Sequence, residues 1–107
     1  MSRPKASSDA FRAIADPTRR AILDLLIEGE LPVKALARSF RLTQPAFSQH
    51  LRVLRQVGLV SQRRAGRERL YRMHPPKLKP VANWVGQYER FWRLKLRKLG
   101  EFLEKSK

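Results

Sequence analysis

Between Thr43 and Gly58 the chain carries a row of amide, hydroxyl and guanidinium side chains on one side of what its spacing makes a helix. Phe47, Leu51 and Leu54 recur at i, i+4 and i+7 and so share a face. With Phe47 taken as inward and each residue rotated by about 100°, Pro45, Ser48, Gln49, Arg52 and Gln56 fall on the opposite side, with Gln44 near the start. This is the chemistry of base recognition in a major groove: amides pair bidentately with adenine, guanidinium with guanine, and small side chains let the backbone come close. The uncharged Gln44, Ser48 and Gln49 matter most, because a purely electrostatic binder would carry Lys or Arg there. An ordinary amphipathic helix has the same spacing, so the rest of the chain must decide between the two.

Other chemistry finds little support. His50 and His74 are far apart in sequence and lack Asp, Glu or Cys at ligand spacing, so no metal site is expected. Ser48, His50 and Asp24 are not accompanied by a nucleophile elbow or an oxyanion loop, and the glycines are scattered instead of forming a phosphate cradle. An enzyme is therefore not expected, nor a cofactor. With no cysteine there is no disulfide framework and no thiolate chemistry. Lys and Arg number 24 against 9 Asp and Glu, a net charge of +15, which makes a polyanion the expected partner. No apolar run reaches the ~20 residues that span a bilayer, and the basic N-terminus is not followed by a signal-peptide core. We expect a cytoplasmic protein without a membrane partner. At 107 residues the chain is one domain.

The elements that must position the reading face follow from periodicity and caps. Residues 1–7, with Arg3 and Lys5, read as a flexible basic tail ahead of a domain over 8–107. A first helix starts at Ser8 or Asp9 with Phe11, Ile14 and Ala15 on one side. A second is capped by Asp16, has Pro17 at its first position, and turns Ala21, Ile22, Leu25 and Leu26 inward. Arg19 and Arg20 in its first turn oppose the helix dipole, which suggests service to a partner. Leu36, Ala37 and Phe40 form the inward face of a short helix that a tight turn containing Arg41 joins to the reading helix, itself capped by Thr43 and stopped at Gly58.

Leu59 to Arg64 and Glu68 to Met73 then predict two strands around Ala65-Gly66-Arg67. Arg63, Arg64, Arg67, Arg69 and Arg72 crowd this ribbon, and like charges facing across strands are destabilising, so an anion is expected to offset them. After Pro75 and Pro76 a long helix, about 77–105, carries Val81, Trp84, Val85, Tyr88, Phe91, Trp92, Leu96, Leu99, Phe102 and Leu103 at three-and-four spacing. A small domain cannot cover so much aromatic surface, so this helix predicts a homodimer.

The order reached is mainly α: three to four short helices with a helix-turn-helix, a two-stranded wing and a long C-terminal helix. The segments ADPTRRAIL, SQHLRVLRQVGLV and RRAGRERLYRM make the chain resemble ArsR/SmtB-type winged helix-turn-helix repressors over most of its length. That resemblance implies a homodimer occupying a palindromic operator in double-stranded DNA. It places Gln44, Pro45, Ser48, Gln49 and Arg52 at base edges, and Arg19, Arg41, Arg63, Arg64, Arg67 and Arg69 along the backbone and wing. Phe11, Trp84, Tyr88, Phe91, Trp92 and Leu99 would lie in the dimer seam. Metal-sensing members carry ELCVC where this chain has ELPVK, with Pro32 and Lys34 at the thiolate positions. The aromatic C-terminal segment looks instead like metal-free members. The expected function is sequence-specific repression without metal control; the alternative is a nonspecific architectural DNA-binding or RNA-binding protein. An inducer or a sequestering protein that releases the DNA stays open.

Overall fold

The computed structural model describes residues 5–105, with side chains described from Ala10 to Lys105. The elements run α1 (Lys5–Ile14), α2 (Pro17–Leu26), β1 (Leu31–Pro32), α3 (Val33–Ala37), α4 (Gln44–Gln56), β2 (Val60–Ala65), β3 (Glu68–Met73) and α5 (Lys79–Lys105). A 3-10 turn at Pro75–Leu78 feeds α5, so the two prolines shape the entry to that helix. This is a winged helix-turn-helix. Of the expected tail 1–7, residues 5–7 are helical and 1–4 lie outside the described residues; α1 starts ahead of Ser8.

Ile22, Leu36, Leu54 and Leu59 are the largest fully buried side chains and bind α2, α3, α4 and the start of the sheet into one core. α2 buries Ile22, Leu23 and Leu26, whereas Ala21 and Leu25 are only half-buried. Its neighbours α1, α4 and β3 lie on several sides, so its buried arc departs from the single stripe expected. α3 has only five residues, of which Leu36 alone is buried; Ala37 is exposed, contrary to expectation, because the helix ends there. Phe40, in the connection, packs its ring 5.5 Å from that of Phe47.

α4 has local reasons to start and stop where it does. Thr43 Oγ1 accepts from the Ala46 N–H at 3.3 Å, and Pro45 sits in the first turn, where its missing N–H costs nothing. At the other end Gly58 takes φ +79, its N–H donates to the Arg55 carbonyl, and the Leu59 N–H donates to the Leu54 carbonyl. That is a Schellman closure, with Leu54 and Leu59 both fully buried as its apolar contact.

The wing is the larger part of a three-stranded antiparallel sheet in the order β1-β3-β2. β1, absent from the sequence expectation, pairs Leu31 with Tyr71 and Pro32 with Leu70. Two residues are too few to show a period of two, and Pro32 is tolerated because the strand is an edge. β2 and β3 are joined by Gly66 and Arg67, where Gly66 has φ +62 and Arg67 does not have positive φ, as in a type II′ turn.

α5 stands apart. None of its 27 residues is buried, and at 1.5 Å per residue it extends about 40 Å. The radius of gyration is 18.2 Å, against about 13 Å for a compact chain of this length. Among the described residues no helix is long and apolar enough to cross a membrane.

The cap of α2 makes a testable contribution. Partial desolvation opposes ionisation of Asp16, but the hydrogen bonds from the Arg19 and Thr18 N–H groups and the charges of His50 and Arg19 outweigh it and hold its carboxyl below the ordinary 3.8. Such a group stabilises the fold above its unfolded pKa, and that contribution is lost as pH falls through the folded value. Asp16→Ala should therefore cost about 1 kcal/mol at neutral pH in urea unfolding, with the difference from wild type shrinking below about pH 4. An unchanged urea midpoint would contradict this role.

Candidate nucleic-acid interface

Phe47, Leu51 and Leu54 fasten the inner side of α4 to the core, which fixes the direction of its outer side. Gln44, Pro45, Ser48, Gln49, Arg52 and Gln56 are all exposed there, and no other element of the described chain covers them. Arg41 is exposed just ahead of the Thr43 cap. His50, on the flank, is partly buried, with Arg19 Nη1 3.2 Å from its Nδ1. Asp16 Oδ2 lies 3.8 Å from the same nitrogen. α4 is thus tied through His50 to Arg19 and Asp16 at the α1–α2 junction.

The basic residues separate into two groups. Arg64, Arg67, Arg69 and Arg72 are exposed on the ribbon and make no ion pair within 4.0 Å among the described residues; Arg64 faces Arg69 directly across β2 and β3. Arg67 stands at the tip. Arg63 is different, because its Nε and Nη2 donate to both carboxylate oxygens of Glu30 at 2.8 Å. That fork-to-carboxylate pair draws the Glu30 carboxyl below its ordinary range, chiefly through the hydrogen bond itself and against some desolvation. Arg63 is therefore paired with the residue before β1, unlike the other arginines of the ribbon.

Arg19 is likewise occupied. Its Nε donates to the Ala13 carbonyl at 2.6 Å and its Nη2 to the Arg12 carbonyl at 3.2 Å. Arg20 Nη1 donates to the carbonyls of Ile14 and Ala15 at 2.8 and 3.2 Å. Both arginines oppose the dipole of their own helix but satisfy the orphan carbonyls at the negative end of α1, which is the compensation. Arg19, expected along the DNA backbone, thus makes intramolecular hydrogen bonds through Nε, Nη1 and Nη2. His74 is structural too, with its Nε2 2.6 Å from Ser61 Oγ.

On the far side, Phe11 of α1 meets Trp84 of α5 edge-on with ring centroids 5.8 Å apart, and Trp84 meets Tyr88 at 5.5 Å. Phe91 and Trp92 form a further edge contact at 5.6 Å, and Lys95 Nζ lies 5.4 Å from the Phe91 centroid. These contacts join α1 to α5 but leave the stripe largely open. Trp84, Tyr88, Phe91, Trp92 and Leu99, with the other large apolar residues of α5 from Val85 to Leu103, are 48–65% exposed.

A family model described as bacterial regulatory protein, arsR family, matches residues 16–62. The HTH-type transcriptional regulator Rv2034 of Mycobacterium tuberculosis is 41% identical over 92 residues, covering 86% of this chain and 83% of its own. The chain belongs to the ArsR family. The transcriptional repressor SdpR of Bacillus subtilis is 37% identical over 78 residues, covering 73% of this chain and 87% of its own. A crystal structure of an ArsR family transcriptional regulator superposes with a TM-score of 0.73 at 30% identity, covering 86% of this chain and 95% of that one. The geometry above thus belongs to a DNA-binding transcriptional regulator, not to an enzyme. The family model stops at residue 62, so within this ArsR protein most of the arginine ribbon and all of α5 lie beyond the matched segment.

The division of the arginines can be measured. Arg19→Ala should lower stability by about 1.5–3 kcal/mol, since charge-assisted bonds to the carbonyls at the end of α1 are lost. Arg67→Ala should leave stability within about 0.5 kcal/mol but reduce the slope of log affinity against log salt by about 1. Urea unfolding beside DNA titrations at several salt concentrations separates them; the reverse assignment would refute it.

Proposed function

We propose that two copies of this chain pair through α5, with Phe11 at its edge, and present their α4 helices to an inverted repeat in double-stranded DNA, repressing transcription from the cytoplasm by occupying that operator. The observation that carries this reading is the unburied stripe of α5. Ten large apolar side chains of α5, each 48% exposed or more, make a patch well above what a monomer tolerates, and a second copy offers the same stripe in return. A two-fold pair would set the α4 helices about 34 Å apart, one turn of duplex, or a multiple of it. Gln44, Ser48, Gln49 and Arg52 would read base edges while Arg41, Arg64, Arg67 and Arg69 neutralise phosphates.

Operator binding would not answer to metal. The chain has no cysteine, Pro32 brings no side-chain donor, and Lys34 brings a fixed positive charge to the position where a cation would have to sit.

Competition binding tests the reading. An inverted repeat obtained by selection from random DNA should outcompete scrambled duplexes, and Gln49→Ala should cost about 1–3 kcal/mol at that site with little change on scrambled DNA. Stoichiometric zinc, cadmium or arsenite should leave the affinity unchanged. Equal affinity for every duplex at physiological salt would favour an architectural protein instead, and metal-induced release would contradict the proposed independence.

A further inference from the structure

Between α3 and α4 lies a hollow of about 310 Å³. Val33, Phe40 and Phe47 supply apolar walls, and Leu42, half-exposed although apolar, forms part of the rim. Gln44 and Ser48 edge the same hollow, and they also belong to the outer face of α4. The one charged group lining it is Lys34, whose side chain makes no ion pair or hydrogen bond among the described residues. No acidic side chain lines it.

We propose that this hollow binds a small aromatic carboxylate, whose ring lies on Phe40, Phe47 and Leu42 and whose carboxylate pairs with the Lys34 ammonium, and that occupancy excludes operator DNA. The volume suits one or two fused rings, at the lower end of ordinary small-molecule sites. Apolar walls with a single convergent cation select a flat monoanion over a neutral ring or a dication. The net charge of +15 adds attraction for any anion. The exclusion follows from shared atoms: a ligand between Lys34 and Ser48 covers Gln44 and Ser48, so release needs no change of shape. This part rests on the proposed reading role of α4.

The test uses full-length protein and 2-naphthoate as probe, followed by calorimetry and by amide shifts of labelled protein. Naphthoate should shift the amides of Val33, Leu42 and Ser48, and Lys34→Met, a change at an exposed position, should weaken it about tenfold. Neutral 2-naphthamide should bind about tenfold more weakly than naphthoate to wild type and should not respond to Lys34→Met. Naphthoate should also displace the selected operator from wild type at concentrations that leave the Lys34→Met complex intact. Absence of binding, shifts confined to other parts of the chain, or equal affinity in Lys34→Met would overturn the site. A loss of operator affinity in Lys34→Met without any response to naphthoate would assign the amine to a DNA phosphate, and would overturn it as well. Ser48→Ala and Gln49→Ala keep the two readings apart. If selectivity survives both, the reading role of α4 fails and the exclusion with it; if selectivity is lost while naphthoate does nothing, the ligand site alone is wrong.

Discussion

An apolar stripe that a chain of 107 residues has no room to bury governs this molecule. The core is filled by α2, α3, α4 and the sheet, with Ile22, Leu36, Leu54 and Leu59 at its centre. α5 reaches that core only at its root, where Leu78 packs against it just before the helix starts. Beyond that point the helix runs outward carrying tryptophan, tyrosine, phenylalanine and leucine on one side. Water is a poor neighbour for such a surface, and full burial of one aromatic or leucine side chain contributes roughly 1.5–3 kcal/mol. In the proposed pairing the same surface that a monomer leaves open sets the spacing of the reading helices.

The side that carries α4 and the wing depends on a different arrangement of charge. A net charge of +15 gives attraction to any polyanion, but the structure does not spread its arginines evenly toward one. Arg19 and Arg20 close the C-terminal end of α1, and Arg63 locks the ribbon to Glu30. Arg41, Arg64, Arg67 and Arg69 are exposed without an ion pair among the described residues, and the outward side chains of α4 are mostly uncharged. In the proposed function electrostatic attraction and base discrimination fall to different residues, which is the separation a sequence-selective binder requires.

The helix-turn-helix was legible because its signals are local. Thr43, Pro45 and Gly58 bracket α4 through caps that act within a turn, and the recurrence of Phe47, Leu51 and Leu54 fixes its inward side without reference to any other element. The wing turn was legible for the same reason at Gly66. What the sequence hid depends on contacts between distant residues. Nothing near Arg63 announces Glu30, 33 positions away, and β1 is two residues long and exists only because β3 lies beside it. The hydrogen bonds of Arg19 were hidden because its partners are main-chain carbonyls and a histidine, groups that leave no charge pattern in the sequence. Ala37 was misplaced because α3 ends sooner than its apolar spacing suggests.

The central claim, that α5 joins two copies and so sets the register of two reading helices, is tested most directly by sedimentation equilibrium of the full chain at micromolar concentration without DNA. The account predicts twice the chain mass for wild type. It also predicts concentration-dependent dissociation for Trp92→Ala, a change at a side chain 59% exposed in the single chain and therefore harmless to its core. A wild-type protein that sediments as a folded monomer at that concentration would contradict the account.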